Sequence, residues 1–320
     1  MNLKLRVKGS NVSRLCEGRI AIISGAGRGI GRGHALELAR LGAKVVVNDL
    51  GAEVDGSGGS SGPAGDVVNE IREFGGEAVA NGDDVSDWDG AGRLIHTALD
   101  SFGGLDILVN NAGILRDRML SNMTIEEWDD VIRVHLRGTF APTRWAVGYW
   151  RERAKAGEVN DARIINTSSS SGIYGNVGQT NYGAAKAGIA AFTVIAAKEL
   201  GRYGITVNAL APGARTRMTE NLIRARGVKE PGPEEFDERS PDNVAPIVAW
   251  LASVESAGVT GRVFNVAGGR ISVAEGWHAG PRATKDDRWD ADELGPVIMD
   301  LVSRAAPNAE MNGQIPDHDQ

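Results

Sequence analysis

The order of segments along the chain predicts an α/β fold with a doubly wound parallel sheet of about seven strands in a single domain. Two observations carry this. Short β-branched runs alternate with helical segments of about a dozen residues. Several of those runs are apolar at consecutive positions, as strands covered on both faces require. A third observation agrees: glycine is abundant, 43 of 320 residues, and aromatics are sparse. That mix suits tight strand-to-helix turns better than a β-sandwich.

The strands read as RIAIIS (19–24), KVVVND (44–49), EAVAN (77–81), LDILVNN (105–111), RIINTSS (163–169), ITVNALA (205–211) and RVFNV (262–266). Helical stretches between them imply right-handed crossovers. Three stretches break the rhythm. GAEVDGSGGSSGPAG (51–65) is Gly/Ser-rich and reads as a loop, with Pro63 suited to the first turn of the helix that follows. Residues 214–241 join a short helical piece, MTENLIRARG (218–227), to the charged, Pro-broken VKEPGPEEFDERSP, and read as a lid over a site, the alternative being a static surface loop. Beyond 270 a C-terminal extension, 271–320, ends in the polar NAEMNGQIPDHDQ, expected to be disordered; residues 1–18 form an N-terminal extension to the 19–270 domain.

A net charge of −7 excludes a basic nucleic-acid footprint. The longest apolar run, 187–197, falls far short of the ~20 residues a membrane span needs. Scattered charges and no apolar core at the N-terminus argue against a signal peptide. The single cysteine, Cys16, cannot form an internal disulfide, so a reducing, cytoplasmic location is expected. Cys16 is open to two readings, a reactive thiol or a packed one. The five histidines lack ligand spacing, and no metal is expected.

The first strand runs into SGAGRGIGRGHALELARLG. Gly25, Gly29 and Gly31 fall where the chain turns from strand to helix, so the backbone can approach a pyrophosphate at a helix N-terminus. The second strand of this Rossmann-type unit closes at Asp49. An acid there accepts ribose hydroxyls and repels a 2′-phosphate, which favours NAD over NADP. Arg28 lies nearby and offers the opposite attraction, for a phosphate. Farther on, Tyr182 and Lys186 stand at i and i+4 on one helix face. An ammonium beside a phenol favours the phenolate, and so proton exchange near neutral pH. Ser169, at a strand's C-terminal end, is placed to hold a substrate oxygen.

G-x-x-x-G-x-G (25–31), NNAG (Asn110–Gly113), Ser169, Y-x-x-x-K (Tyr182, Lys186) and PG (Pro212, Gly213) resemble, in order and spacing, the short-chain dehydrogenase/reductase family across residues 15–270. The stretches VVVNDLG, GGEAVAN, NNAGILRDRM, RVHLRGTF and SSSSGIYGNVGQTNYGAAK are most similar to the (3R)-hydroxyacyl-CoA dehydrogenase part of peroxisomal multifunctional enzymes. The resemblance implies that Ser169 polarises the substrate oxygen, Tyr182 is the acid/base, and Lys186 holds the nicotinamide ribose and tunes the tyrosine. It implies cofactor contacts from Gly25, Arg28, Gly29, Ile30, Gly31 and Asp49. Asp84 would meet adenine beside Val85, Asn111 would line the channel with Ala112 and Gly113, and Pro212, Gly213 and Thr216 would complete the set. Thr216 stands one residue off the usual spacing. His135 occupies the position of the family's relay asparagine, where it either bonds a relay water or packs structurally.

The expected activity is an NAD-dependent oxidation of a 3-hydroxyacyl-CoA thioester. Alternatives are a steroid or alicyclic alcohol dehydrogenase, a 3-ketoacyl thioester reductase, or a non-catalytic dinucleotide sensor. Arg215, Arg217, Arg224 and Arg226 offer positive charge for an anionic CoA at the mouth. The helix 182–200 is small or apolar on nearly every side and must be covered beyond its sheet-facing side. The cover is either the chain's own C-terminal extension or a neighbouring subunit, and the family resemblance implies a homodimer or homotetramer.

Overall fold

The apolar runs become strands of one sheet. The computed structural model describes residues 14–55, 57–59, 62–216, 220, 231–232 and 235–316. Its strands are β1 (Ile20–Ser24), β2 (Lys44–Asn48), β3 (Ala78–Asn81), β4 (Ile107–Asn110), β5 (Ala162–Thr167), β6 (Ile205–Gly213), β7 (Val263–Ala267) and β8 (Arg270–Ala274). They lie in the order β3-β2-β1-β4-β5-β6-β7-β8. β1 to β7 pair in parallel, and β8 returns antiparallel on β7. The eighth strand exceeds the seven that the sequence pattern gives. Four of its five residues are exposed, so no buried run marks it. The strand order reverses between β1 and β4, which opens a crevice at the carboxyl ends of the strands.

The helices are α1 (Gly29–Arg40), α2 (Gly62–Glu73), α3 (Trp88–Phe102), α4 (Ile125–Ile132), α5 (Gly138–Lys155), α6 (Ser170–Ile173), α7 (Thr180–Leu200), α8 (Ala245–Ala252) and α9 (Leu294–Arg304). On one face of the sheet Leu36, Leu38, Val67, Ile71, Val248 and Leu251 from α1, α2 and α8 form a core. On the other, Leu94, Ile95, Ala146, Trp150, Ala196 and Leu200 come from α3, α5 and α7. Local chemistry sets the ends of these helices. Asp87 caps α3 by accepting from Gly90 N at 2.7 Å, and Gly103 ends it at φ 82°. Thr124 and Glu127 form a reciprocal capping box on α4. Pro63 sits in the first turn of α2, as its position suggests. Cys16 is fully buried against Ala249 O, and burial pushes its thiol up to about 11. That decides for the packed thiol.

Between α4 and α5 the chain makes a five-residue π-turn, Arg133–Arg137. Such turns re-aim neighbouring side chains. Here His135 points inward and is buried, while Arg133 reaches Ser86 Oγ at 2.6 Å and Asp84 Oδ2 at 3.3 Å.

α7 buries Ala185, Ile189, Thr193, Ala196, Ala197 and Leu200 against the sheet. Its opposite side leaves Ala184, Ala187, Ala191, Val194 and Ile195 exposed. The described part of the C-terminal extension therefore does not cover it. That part carries α9, with no buried residue, and a turn that sets Gly313 against Tyr174. Of the short helix expected at 218–227 only Glu220 is described, and Arg217, Arg224 and Arg226 lie outside the described residues. Arg215, expected to offer charge at the mouth, instead pairs with Asp237 at 2.6 Å. Among the described residues no helix is long and apolar enough to cross a membrane, and no cluster of His, Cys, Asp or Glu could hold a metal.

Candidate active site

The crevice has two ends. At the first, β1 passes into α1 through Gly25 (φ 62°) and Gly29 (φ 55°), both in the left-handed region that favours glycine. A Cβ on Gly31 would stand 2.2 Å from Gly25 O and 2.5 Å from Asn111 Nδ2, so the loop closes on itself only without side chains. Arg28, exposed, is the N-cap residue of α1, and its side chain makes no capping bond to that helix. Its first-turn N–H groups stay available for an anion. Asn111, expected to line the channel, donates its amide to Ser24 O at 3.0 Å and Gly25 O at 3.1 Å and so holds the loop. Ser24 Oγ accepts from the Asn111 and Ala112 N–H groups. Thr216, despite its shifted spacing, reaches the loop, with its methyl 3.5 Å from where a Gly29 Cβ would be.

Asp49 follows β2 and accepts from Gly27 N at 2.8 Å and Gly51 N at 2.7 Å, one bond on each carboxylate oxygen. Asp84, after β3, binds Ser86 N and Oγ through one oxygen and Arg133 through the other. Val85 beside it is buried.

The second end gathers Ser169, Tyr182, Lys186 and His135 from three places in the chain: the end of β5, α7 and the π-turn. Ser169 follows β5 as the N-cap of α6, and its hydroxyl acts on the Tyr182 phenol in the direction that favours the phenolate. Lys186 is buried and donates to Thr167 O at 2.6 Å, and its Nζ lies 5.5 Å from the Tyr182 ring centre. The His135 ring meets the Tyr182 ring edge-on at 5.1 Å. Pro212 and Gly213 end β6 opposite Val266 and Ala267.

Residues 19–227, more than half of the chain, match the short chain dehydrogenase family. The chain belongs to that family. It is 46% identical over 297 residues to hydroxyacyl-CoA dehydrogenase ChsB1 of Mycobacterium tuberculosis, covering 91% of this chain and 90% of that one. Mouse peroxisomal multifunctional enzyme type 2 is 46% identical over 256 residues, 80% of this chain and 32% of the longer protein. A crystal structure of a short chain dehydrogenase from Mycobacterium avium superposes with TM-score 0.83 at 54% identity, covering 92% of this chain and 98% of that one. The chain is therefore an oxidoreductase acting on CH–OH groups, and its family works with nicotinamide dinucleotides. The uncapped α1, the two left-handed glycines and the side-chain-free turn at Gly31 fit the pyrophosphate of such a cofactor.

The dehydrogenase's electrostatics correct one expectation. An ammonium near a phenol should favour the phenolate, yet Tyr182 is pushed up to about 12. Desolvation is the main cause; the Ser169 hydrogen bond opposes it and the Asp117 charge adds to it. Lys186 is itself pushed down to about 7 by burial, so near neutral pH its charge is only partly present. His135 is held well below its ordinary value, first by burial and then by Lys186, and is neutral. Its Nε2 lies 2.8 Å from Ile114 O and 3.1 Å from Ile114 N, while its Nδ1 is buried with no protein partner. Both readings of His135 thus keep support: one ring nitrogen packs the loop, and the other is an orphan that a water would satisfy.

Three contributors escape the sequence motifs. Gly27 lies against Asp49, and a Cβ there would meet Pro63 at 2.6 Å and the carboxylate at 2.8 Å. Its signal was the alternating glycine of GAGRGIG. Gln179, the N-cap of α7, and Asn181, in its first turn, are buried and bond the loop after β4. Their neighbourhood to Tyr182 was the available hint; their partners are distant in sequence.

Proposed function

We propose that this dehydrogenase interconverts a 3-hydroxyacyl-CoA thioester and its 3-keto form, using NAD. The observation that carries the reaction type is the meeting of Ser169, Tyr182 and Lys186 at the carboxyl edge of the sheet. Gly25, Arg28, Gly29, Ile30, Gly31 and Thr216 would hold the pyrophosphate end, with Asp49 on the adenine-side ribose and Asp84 and Val85 at adenine. Asn111, Ala112, Gly113, Pro212, Gly213, Tyr182 and Lys186 would frame the nicotinamide end. When bound, the oxidised cofactor supplies the hydride acceptor and a positive charge.

Ser169 donates to the substrate oxygen and orients it. In the oxidising direction the substrate O–H bond gives its proton to the Tyr182 oxygen while the C–H bond gives up its hydride, and C–O becomes C=O. In the reducing direction Tyr182 returns the proton. With its phenol at about 12, Tyr182 in the cofactor-free chain stands in the acid form, ready for reduction. Oxidation needs the phenolate, which the added positive charge and Lys186 favour. The orphan Nδ1 of His135 supports a water-linked path toward Lys186.

The substrate class is supported by ChsB1, a hydroxyacyl-CoA dehydrogenase that aligns over nearly its whole length. NAD is supported by the fixed Asp49 carboxylate, which leaves a negative charge where a 2′-phosphate would lie. A second reading, thioester reduction, is favoured by a 3-oxoacyl-[acyl-carrier-protein] reductase of Synechocystis that is 44% identical over 79% of this chain. Turnover of 3-hydroxyacyl-CoA, hydroxysteroid and 3-ketoacyl panels with NAD(H) and NADP(H), followed by absorbance of the reduced nicotinamide, tests both. A steroid preferred over every acyl-CoA overturns the thioester reading.

The exposed apolar side of α7 supports a homodimer or homotetramer built on that helix, because Ile195 is 56% and Phe140 of α5 46% exposed in the single chain. Light scattering at micromolar concentration should give at least twice the chain mass, and a monomer mass refutes it.

A further inference from the structure

We infer that Asn181 is a positioning residue for Tyr182, locking the tyrosine's helical turn to the loop after β4; this rests on the role proposed for Tyr182 above. Asn181 immediately precedes Tyr182 in the first turn of α7 and has no exposed surface. Its amide is fully used. Nδ2 donates to Arg116 O at 3.0 Å and to Glu127 O at 3.0 Å, and Oδ1 accepts from Tyr182 N at 2.7 Å.

The first N–H groups of a helix have no partner within it. Here the tyrosine's own N–H is satisfied by Asn181, and the same side chain grips two segments far away in sequence. Arg116 lies in the loop after β4, and Glu127 lies in the first turn of α4. Three further bonds stitch the same seam. Arg118 N donates to Gly178 O at 2.8 Å, Gln179 Nε2 donates to Asp117 Oδ2 at 2.8 Å, and Ser171 Oγ donates to Gln179 Oε1 at 2.8 Å. Ser171 is two residues from Ser169, to whose Oγ its N–H donates at 3.2 Å. The serine and the tyrosine are therefore referenced to one hydrogen-bonded unit. Leu115 N extends it by donating to Val54 O at 3.0 Å, in the Gly/Ser-rich loop that follows Asp49.

Only an amide suits this place. It carries two N–H donors and an acceptor on one planar group. Aspartate would set an oxygen against the two carbonyls, and a smaller apolar residue would take away the bonds that Asn181 makes to the Tyr182 N–H and the Arg116 carbonyl. Tyr182 then drifts relative to Ser169 and Lys186, and a displacement near 1 Å is enough to cost roughly 10²-fold in rate.

The test uses Asn181→Asp and Asn181→Ser, with Tyr182→Phe beside them, in the full chain. Active sites are counted by NADH titration, and turnover per site is measured with a 3-ketoacyl-CoA and with NADH deuterated at the transferred position. A drop of roughly 10- to 100-fold in kcat, with NADH affinity within about twofold and a raised deuterium isotope effect, supports the inference. Unchanged kcat per NADH-binding site in a variant that folds overturns it. So does loss of NADH binding in both variants, because Asn181 then serves the fold as a whole. If Tyr182→Phe keeps its turnover, the proposed chemistry fails first; if Tyr182→Phe is dead while both Asn181 variants turn over normally, only the positioning role fails.

Discussion

The two ends of the crevice are held by opposite means. At the cofactor end the shape comes from what is missing: Gly25 and Gly29 take left-handed backbone, and Gly31 has no room for a Cβ. The charges there, Asp49 and Asp84, are fastened mostly by backbone amides and nearby groups. At the reacting end the shape comes from buried polar side chains. Lys186 and His135 have almost no exposed surface, and Tyr182 is desolvated at its phenol. A site made of backbone is insensitive to the protonation state of its walls, whereas a site made of buried ionisable groups has its chemistry set by desolvation. The first end should therefore govern affinity and cofactor choice, and the second rate and pH dependence.

The sharpest division is expected from Tyr182→Phe. It keeps the ring packed on His135 but removes the exchangeable proton. General acid–base catalysis contributes about 10²–10⁴-fold, so kcat should fall by that much while NADH affinity, read by fluorescence titration, stays nearly constant. Turnover within about tenfold of wild type would remove Tyr182 from the proton-transfer role and blur the division of labour.

Asp49→Ala probes the other end. It removes two bonds to a charged acceptor, each on the order of 1.5–3 kcal/mol, along with the repulsion of a 2′-phosphate. The ratio of kcat/KM for NAD over NADP should drop about 10- to 100-fold. kcat at saturating NAD should change little. If kcat falls as steeply as affinity, the glycine loop and the reacting end are not separable, because Gly27 and Asp49 would then be shaping both.

The last effect is in stability. Lys186 in the folded, cofactor-free chain loses its proton near pH 7, against an ordinary value of 10.5. Below pH 7 folded and unfolded chains both hold the proton, and the cost of burying the charge is fully present. Between pH 7 and 10.5 the unfolded chain binds more protons, so folding stability rises with pH there. Relative to Lys186→Met, wild-type unfolding free energy from denaturant titration should be flat below pH 7 and climb above it, by at most about 1.4 kcal/mol per pH unit. A flat difference through pH 10 would mean that the ammonium stays charged and well solvated, and the contrast between the two ends would weaken.

Much of this molecule was written locally. Consecutive apolar residues in runs such as IAIIS and KVVVN forced strands buried on both faces, and the glycines between strand and helix announced a turn that a Cβ would block. Those are short-range steric and burial rules, so the doubly wound sheet and the glycine turn were legible in the chain, while motif spacing pointed to the strand end and helix turn that carry Ser169, Tyr182 and Lys186. β8 was not, because an exposed edge strand carries no burial signature. Nor was the protonation of the site. Spacing placed an ammonium beside a phenol, but only packing decided that both are desolvated, with Tyr182 pushed up to about 12 and Lys186 pushed down to about 7. The π-turn that sends His135 inward and Arg133 outward, and the Asn181 side chain that ties Tyr182 to Arg116 and Glu127, were likewise decided in three dimensions. Their partners lie far apart in sequence, and hydrogen bonds and dielectric environment depend on which groups the fold brings within a few ångströms.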